Sequence, residues 1–185
     1  PTNLSGAGAE GTNDVVSGPG FKADTYTLSE TGPGGYTASS WTCTNNVTVN
    51  GNNQITLTNG QTTVCTINNN DQPAKLVLVK TLPNDDGGTA DQDDFPVFIN
   101  STSAVWGDNQ VNAGSYVVSE TTMTGYTPSS WSGDCDAQGN VTLTPGQTKT
   151  CTITNDDQPG TLIVNKVLVN DNGGTQTVTQ FSYKV

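Results

Sequence analysis

The stretch YTLSETGPGGYTASSW, beginning at Tyr26, returns as YVVSETTMTGYTPSSW beginning at Tyr116. A chain that repeats itself at a fixed period builds the same supersecondary unit more than once, and this outranks any argument from length. Aligning the copies pairs Tyr26 with Tyr116, Glu30 with Glu120, Trp41 with Trp131 and Cys65 with Cys151, and matches the linker NNDQP ending at Pro73 with NDDQP ending at Pro159. After each linker come an apolar run and a glycine-bearing acidic loop: KLVLVKTLPNDDGGT from Lys75 and TLIVNKVLVNDNGGT from Thr161. The unit therefore spans roughly 86 to 90 residues, opening at that run and closing at the linker. Residues 74–159 form a complete unit, residues 1–73 hold the back of one, and residues 160–185 hold the front of another.

Within each unit, short runs of Val, Ile, Thr, Tyr and Leu alternate with Gly, Pro, Asn and Asp clusters such as TGPGG, NGNN and LTPGQ. This is the pattern of a β-sandwich, and no helical periodicity competes with it. With 31% hydrophobic and 12% charged residues, Thr, Asn, Gly and Ser supply most of the polarity, as expected of an all-β surface protein. A net charge of −11, from 17 acids against 6 bases, argues against nucleic acid and against a membrane surface as partners. The absence of histidine excludes imidazole bases and histidine metal ligands, and with them most hydrolase schemes. No apolar run approaches the roughly 18 residues of a membrane span. No signal peptide precedes Pro1, so the chain reads as a mature product or a segment of something longer.

Cys43 with Cys65 and Cys135 with Cys151 fall one pair to each copy. An even count so placed reads as one disulfide per unit and an oxidising, extracellular location, with buried free thiols as the alternative. Zinc is disfavoured because CxxC spacing and histidine are both missing.

Strand alternation supplies the sharpest clue, since side chains two apart share a face. Lys80 is in phase with Leu76 and Leu78, Glu120 with Tyr116 and Val118, and Asn155 with Cys151 and Ile153. Three polar residues thus fall on apolar faces of one unit. Burial lowers the pKa of a lysine towards a nucleophilic amine and raises that of a carboxyl. Such a trio is suited to forming one amide cross-link between the first and last strands, with Glu120 shuttling protons as ammonia leaves. The alternatives are a salt-bridged or hydrogen-bonded trio at the sandwich edge, or plain exposed residues.

LVLVK ending at Lys80, Y-x-x-x-E from Tyr116 to Glu120 followed by Gly125 and Tyr126, and TITN ending at Asn155 resemble the prealbumin-like, collagen-adhesin B-type (SpaA-like) repeat domains of bacterial surface proteins and pilins. The resemblance implies tandem Ig-like antiparallel β-sandwiches. It also implies a spontaneous isopeptide bond joining Lys80 to Asn155 with the help of Glu120.

Glu30 and Asn69 are the counterparts of Glu120 and Asn155, but the lysine strand that should precede them is missing. The tail offers Lys166, in phase with Leu162 and Val164, yet lacks the glutamate and asparagine that should face it. Its FSYKV is expected to be a strand equivalent to FPVFI. Joining tail to head leaves about 45 residues between Lys166 and Tyr26, against 36 between Lys80 and Tyr116, a surplus that a longer PTNLSGAGAEG loop absorbs. Either separate copies complement one another head to tail, or the chain is one period of a longer array.

The loop PNDDGGTADQDDF places Asp85, Asp86, Asp91, Asp93 and Asp94 close together, a weak calcium candidate set that lacks EF-hand spacing and reads better as a solvated loop. No cofactor is expected. Trp41 and Trp131 are expected to pack on the disulfides, with carbohydrate stacking as the lesser reading. The sequons at Asn3, Asn46, Asn100 and Asn140 are of the kind that arise by chance in a Thr- and Asn-rich chain. Together these features describe a non-enzymatic extracellular fibre, stalk or pilus-like filament, a homopolymer by head-to-tail contacts. An adhesin whose repeats are only a spacer is the rival reading.

Overall fold

The computed structural model describes residues 4–8 and 15–185. Its strands in the head are β1 (Thr25–Thr27), β2 (Tyr36–Ala38), β3 (Thr42–Cys43), β4 (Gln54–Thr56), β5 (Cys65–Thr66) and β6 (Asn69–Asp71). The central unit contains β7 (Ala74–Thr81), β8 (Val97–Ile99), β9 (Thr102–Ser103), β10 (Gly107–Val111), β11 (Gly114–Glu120), β12 (Tyr126–Pro128), β13 (Ser132–Gly133), β14 (Asn140–Leu143) and β15 (Thr148–Asp157). Helical structure among the described residues is confined to two 3-10 turns, Gln92–Asp94 and Val178–Gln180.

Residues 74–157 form a two-sheet sandwich. One sheet runs β10-β7-β15-β12 with β13 also paired to β15, and the other runs β14-β11-β8-β9. Period-two alternation turns Leu76, Leu78, Cys151 and Ile153 of the first sheet onto Val97, Val118, Val141 and Leu143 of the second, and all are buried. Each fully buried aliphatic side chain contributes about 1.5–3 kcal/mol relative to exposure. Gly139 closes the approach to β14 at φ +84°, where a Cβ would lie 2.3 Å from the Val118 carbonyl oxygen, so a side chain there is barred both by conformation and by space.

The pairing departs from a wholly antiparallel sandwich at one place. β7 and β15, the first and last strands of the unit, are adjacent and parallel, with Leu78 opposite Cys151 and Lys80 opposite Ile153. Parallel neighbours need a long connection, and here the rest of the unit is that connection.

Among its described residues the head carries three two-stranded pairs, β1-β4, β2-β6 and β3-β5. The stretch that is one continuous strand in β15 is split in the head into β5 and β6, for want of a neighbour on the side where β7 lies in the complete unit. The expected tail strands at TLIVNKV and FSYKV are not formed: residues 160–185 hold no strand, and nearly all of them are exposed. A strand is stable only when its backbone groups are paired in a ladder, and the tail has no neighbouring edge. Head and tail leave the sandwich at opposite ends of β15. The head abuts the Thr144–Gln147 turn, where Gly146 N–H donates to the Gln72 carbonyl at 2.8 Å, whereas the tail follows Asp157.

Candidate cross-linking site

Lys80 lies near the end of β7, Asn155 near the end of β15 and Glu120 at the end of β11, so the two sheets meet at these residues. The Lys80 ammonium is ion-paired to Glu120 Oε2, and the two side chains are 0% and 4% exposed. Asn155 is also 0% exposed. It sits two residues beyond Ile153, the register partner of Lys80, and on the same face. Strand geometry therefore puts the two Cα atoms about 8 Å apart, within reach of a lysine side chain. Asn155 Nδ2 and Oδ1 and Glu120 Oε1 are buried without a hydrogen-bond partner. Leaving a polar group buried and unsatisfied costs about 1–3 kcal/mol, so three such atoms on two side chains set these residues apart from ordinary packing.

The walls are aromatic. Lys80 Nζ lies 4.0 Å from the Phe95 ring centroid and 5.2 Å from that of Trp106. Trp106 Nε1–H donates to the Phe95 carbonyl at 2.9 Å, and the Trp106 ring stacks at 6.4 Å on Trp131. Burial lowers the pKa of Lys80 below its ordinary 10.5, while the hydrogen bond and the charge of Glu120 act the other way. A desolvated amine, a carboxylate to accept its proton and a carboxamide to be attacked are the reactants of an amide exchange.

Sequence reasoning did not single out Phe95 or Trp106 as parts of this site. The only available signal was that Phe95 stands fifteen positions after Lys80, as Phe181 does after Lys166. In the tail Lys166 Nζ lies 4.4 Å from the Phe181 ring centroid. In the head Asn69 Nδ2 donates to Glu30 Oε1, and both residues are exposed. The structure does not bring Lys166 to this pair.

Cys43–Cys65 and Cys135–Cys151 are both disulfides. Trp131 is buried in one cluster with Cys135 and Cys151, which leaves it no exposed face for a sugar, and Trp41 is half-buried. The five aspartates of the acidic loop do not converge. Asp91 and Asp94 cap the Gln92–Asp94 turn together with the Asp93 N–H. The carboxylates that do approach, within 4.8 Å of one another, are those of Asp85, Asp156 and Asp157. Asp157 is already engaged, because it accepts the backbone N–H groups of Asp85, Asp86 and Gly88 at 2.6–3.2 Å. Its role was missed because DDQP reads as a linker; the repetition of an aspartate in the same place, as Asp71, was the available signal. Among the sequons, Asn100 Oδ1 accepts the Val117 N–H, Asn140 bonds the Asp136 carboxylate, Asn46 has φ 59°, and Asn3 lies outside the described residues.

A sandwich with parallel, adjacent first and last strands and a buried lysine, glutamate and asparagine at their ends defines an all-β, disulfide-bonded domain. A family model described as a prealbumin-like fold domain matches residues 1–67 and again residues 71–153, and the chain belongs to that family. No significant match was found among curated proteins or among solved structures. No helix among the described residues is long and apolar enough to cross a membrane.

Proposed function

We infer that the protein is an extracellular structural module of a microbial surface fibre, in which Lys80 and Asn155 become joined by an amide. The observation that carries this reading is the buried trio with three unpartnered polar atoms. Glu120 takes a proton from Lys80, and the neutral Nζ attacks Asn155 Cγ. The Nζ–Cγ bond forms, the Cγ–Nδ2 bond breaks, Glu120 passes the first proton to Nδ2, which leaves as ammonia, and Glu120 then takes the second proton that Nζ sheds and ends protonated. The product gives the stranded atoms partners, because the new carbonyl accepts from the protonated Glu120 and the new N–H donates to it. The reaction happens once per molecule, so no substrate is turned over. Two disulfides and membership of a prealbumin-like family support an extracellular setting.

The mechanical consequence follows from topology. Tension applied through the linkers enters at β7 and leaves at β15, and the amide ties these strands together. Single-molecule stretching of the whole chain tests this. In the wild type the chain between Lys80 and Asn155, roughly 200 Å when extended with the Cys135–Cys151 loop still closed, stays unextended; in Glu120→Ala that length appears as an additional unfolding step. A wild type that releases the same length as the variant contradicts the reading.

A further inference from the structure

The segment between Thr81 and Phe95 joins the strand that carries Lys80 to the ring that covers its amine. A loop has no ladder of its own, so its path is set by whatever takes up its backbone groups. Two side chains from facing strands do this here. The Asp157 carboxylate accepts the N–H groups of Asp85, Asp86 and Gly88, and the Asp157 N–H donates to the Pro83 carbonyl at 3.4 Å. Tyr126 Oη accepts the Ala90 N–H and donates to Asn84 Oδ1, both at 2.9 Å, while Asn84 Nδ2 donates to the Ala90 carbonyl at 3.0 Å. Gly88 permits so close an approach, because a Cβ there would lie 2.4 Å from Tyr126 Oη and 2.7 Å from Asp157 Cβ. The other copy of the repeat carries the same four residue types, as Asn170 and Gly174 in the loop and Tyr36 and Asp71 on the facing side.

Both fastenings lie beside the cross-linking trio. Asp157 follows Asn155 by two positions on the same face of β15, and Tyr126 is its register partner on β12. The loop therefore springs from the strand that bears the amine and is tied to the strand that bears the carboxamide. Tyr126 also meets the edge of the Phe95 ring, with centroids 5.4 Å apart and planes at 81°. Phe95 is itself fully buried, and its carbonyl accepts the Trp106 Nε1–H. Both aromatic walls of the amine thus depend on where this loop ends.

We propose that Asp157 and Tyr126 are positioning residues for the cross-link: by fastening the Pro83–Ala90 loop they seat Phe95 and Trp106 over Lys80 and close the site to water before the amide forms. Resting on the chemistry inferred for Lys80 and Asn155, this role requires no bond or proton transfer at either residue. Its effect on rate is physical. An amine kept from water is held in its nucleophilic form more readily, since burial lowers the pKa of Lys80. Reactants held at near-attack distance also react faster than those free to drift apart.

The test uses the full chain. Assembled by peptide ligation, it starts unfolded and unreacted. It is folded oxidatively without denaturant, quenched in acid at intervals and weighed intact, while circular dichroism follows the folded fraction. Once folded, Asp157→Ala and Tyr126→Phe are each expected to shed ammonia about tenfold to 100-fold more slowly than the wild type. A role in stability alone would leave this first-order rate unchanged in fully folded chain. Tyr126→Phe keeps its ring against Phe95, which guards against a variant that does not fold. A second measurement uses Asn155→Ala, in which no amide can form. With isotope-labelled lysine, its Lys80 ammonium protons are expected to exchange with water slowly enough to be seen by NMR, and to vanish when Asp157→Ala or Tyr126→Phe is added. Wild-type rates in the two variants overturn the proposal and leave the cross-link standing. So does an ammonium signal that is absent from Asn155→Ala alone or that survives the added substitutions. A folded wild type that never sheds ammonia overturns the cross-link and the positioning role together, so the two failures are told apart.

Discussion

The Lys80 ammonium lies against Phe95 and Trp106 and is ion-paired to Glu120. Removing that carboxylate leaves a buried ammonium with no counter-charge, and breaking a buried pair in this way costs about 3–5 kcal/mol. In the Asn155→Ala background, where no amide can form and Lys80 stays a free amine, Glu120→Ala is expected to lose stability on that scale in denaturant titration. Asn155→Ala isolates the ionisation, because Lys80 then remains a free amine. Its folded pKa lies below the ordinary 10.5, so between the two values the unfolded chain holds more protons than the folded one. Stability of this variant therefore rises with pH through the window below 10.5. The bonded wild type has no such amine, and the difference between the two melting-temperature profiles should shrink as pH rises. Parallel profiles would mean that Lys80 titrates as it does in water.

At the level of elements, the Pro83–Ala90 loop is fastened to the end of β15 by Asp157. Burial raises the pKa of this carboxyl, but N–H donation from Gly88, Asp86 and Asp85 outweighs it and holds the group below its ordinary 3.8. A depressed carboxylate contributes stability above its unfolded value and loses it as pH falls through the folded value. Amide exchange at Asp86 and Gly88 is accordingly expected to speed up below the ordinary carboxylate range, and to be fast at neutral pH in Asp157→Ala; unchanged protection in the variant would contradict the fastening. The Cys135–Cys151 disulfide, with a sequence separation of 16, anchors the β13–β14 segment to β15. Replacing both cysteines with alanine should cost about 3 kcal/mol in the same titration. Period-two alternation made the buried faces of β7, β11 and β15 legible in sequence, and with them Lys80, Glu120 and Asn155. The aromatic walls were not legible, since Phe95 and Trp106 reach Lys80 through a loop whose path depends on tertiary packing. Nor was the tail's lack of strand: TLIVNKV has the composition of a strand, but a strand also needs an edge to pair with, and composition does not supply one.

Across the whole molecule, the cross-link would turn the sandwich of residues 74–157 into a stay between its linkers. The central claim is that a bond has formed between Lys80 and Asn155, and intact mass tests it most directly. With both disulfides accounted for, the wild-type chain is predicted to be lighter than its sequence by about 17 Da for this bond, the mass of the departed ammonia, and Glu120→Ala to show no such deficit. A wild-type chain at its full sequence mass would contradict the account.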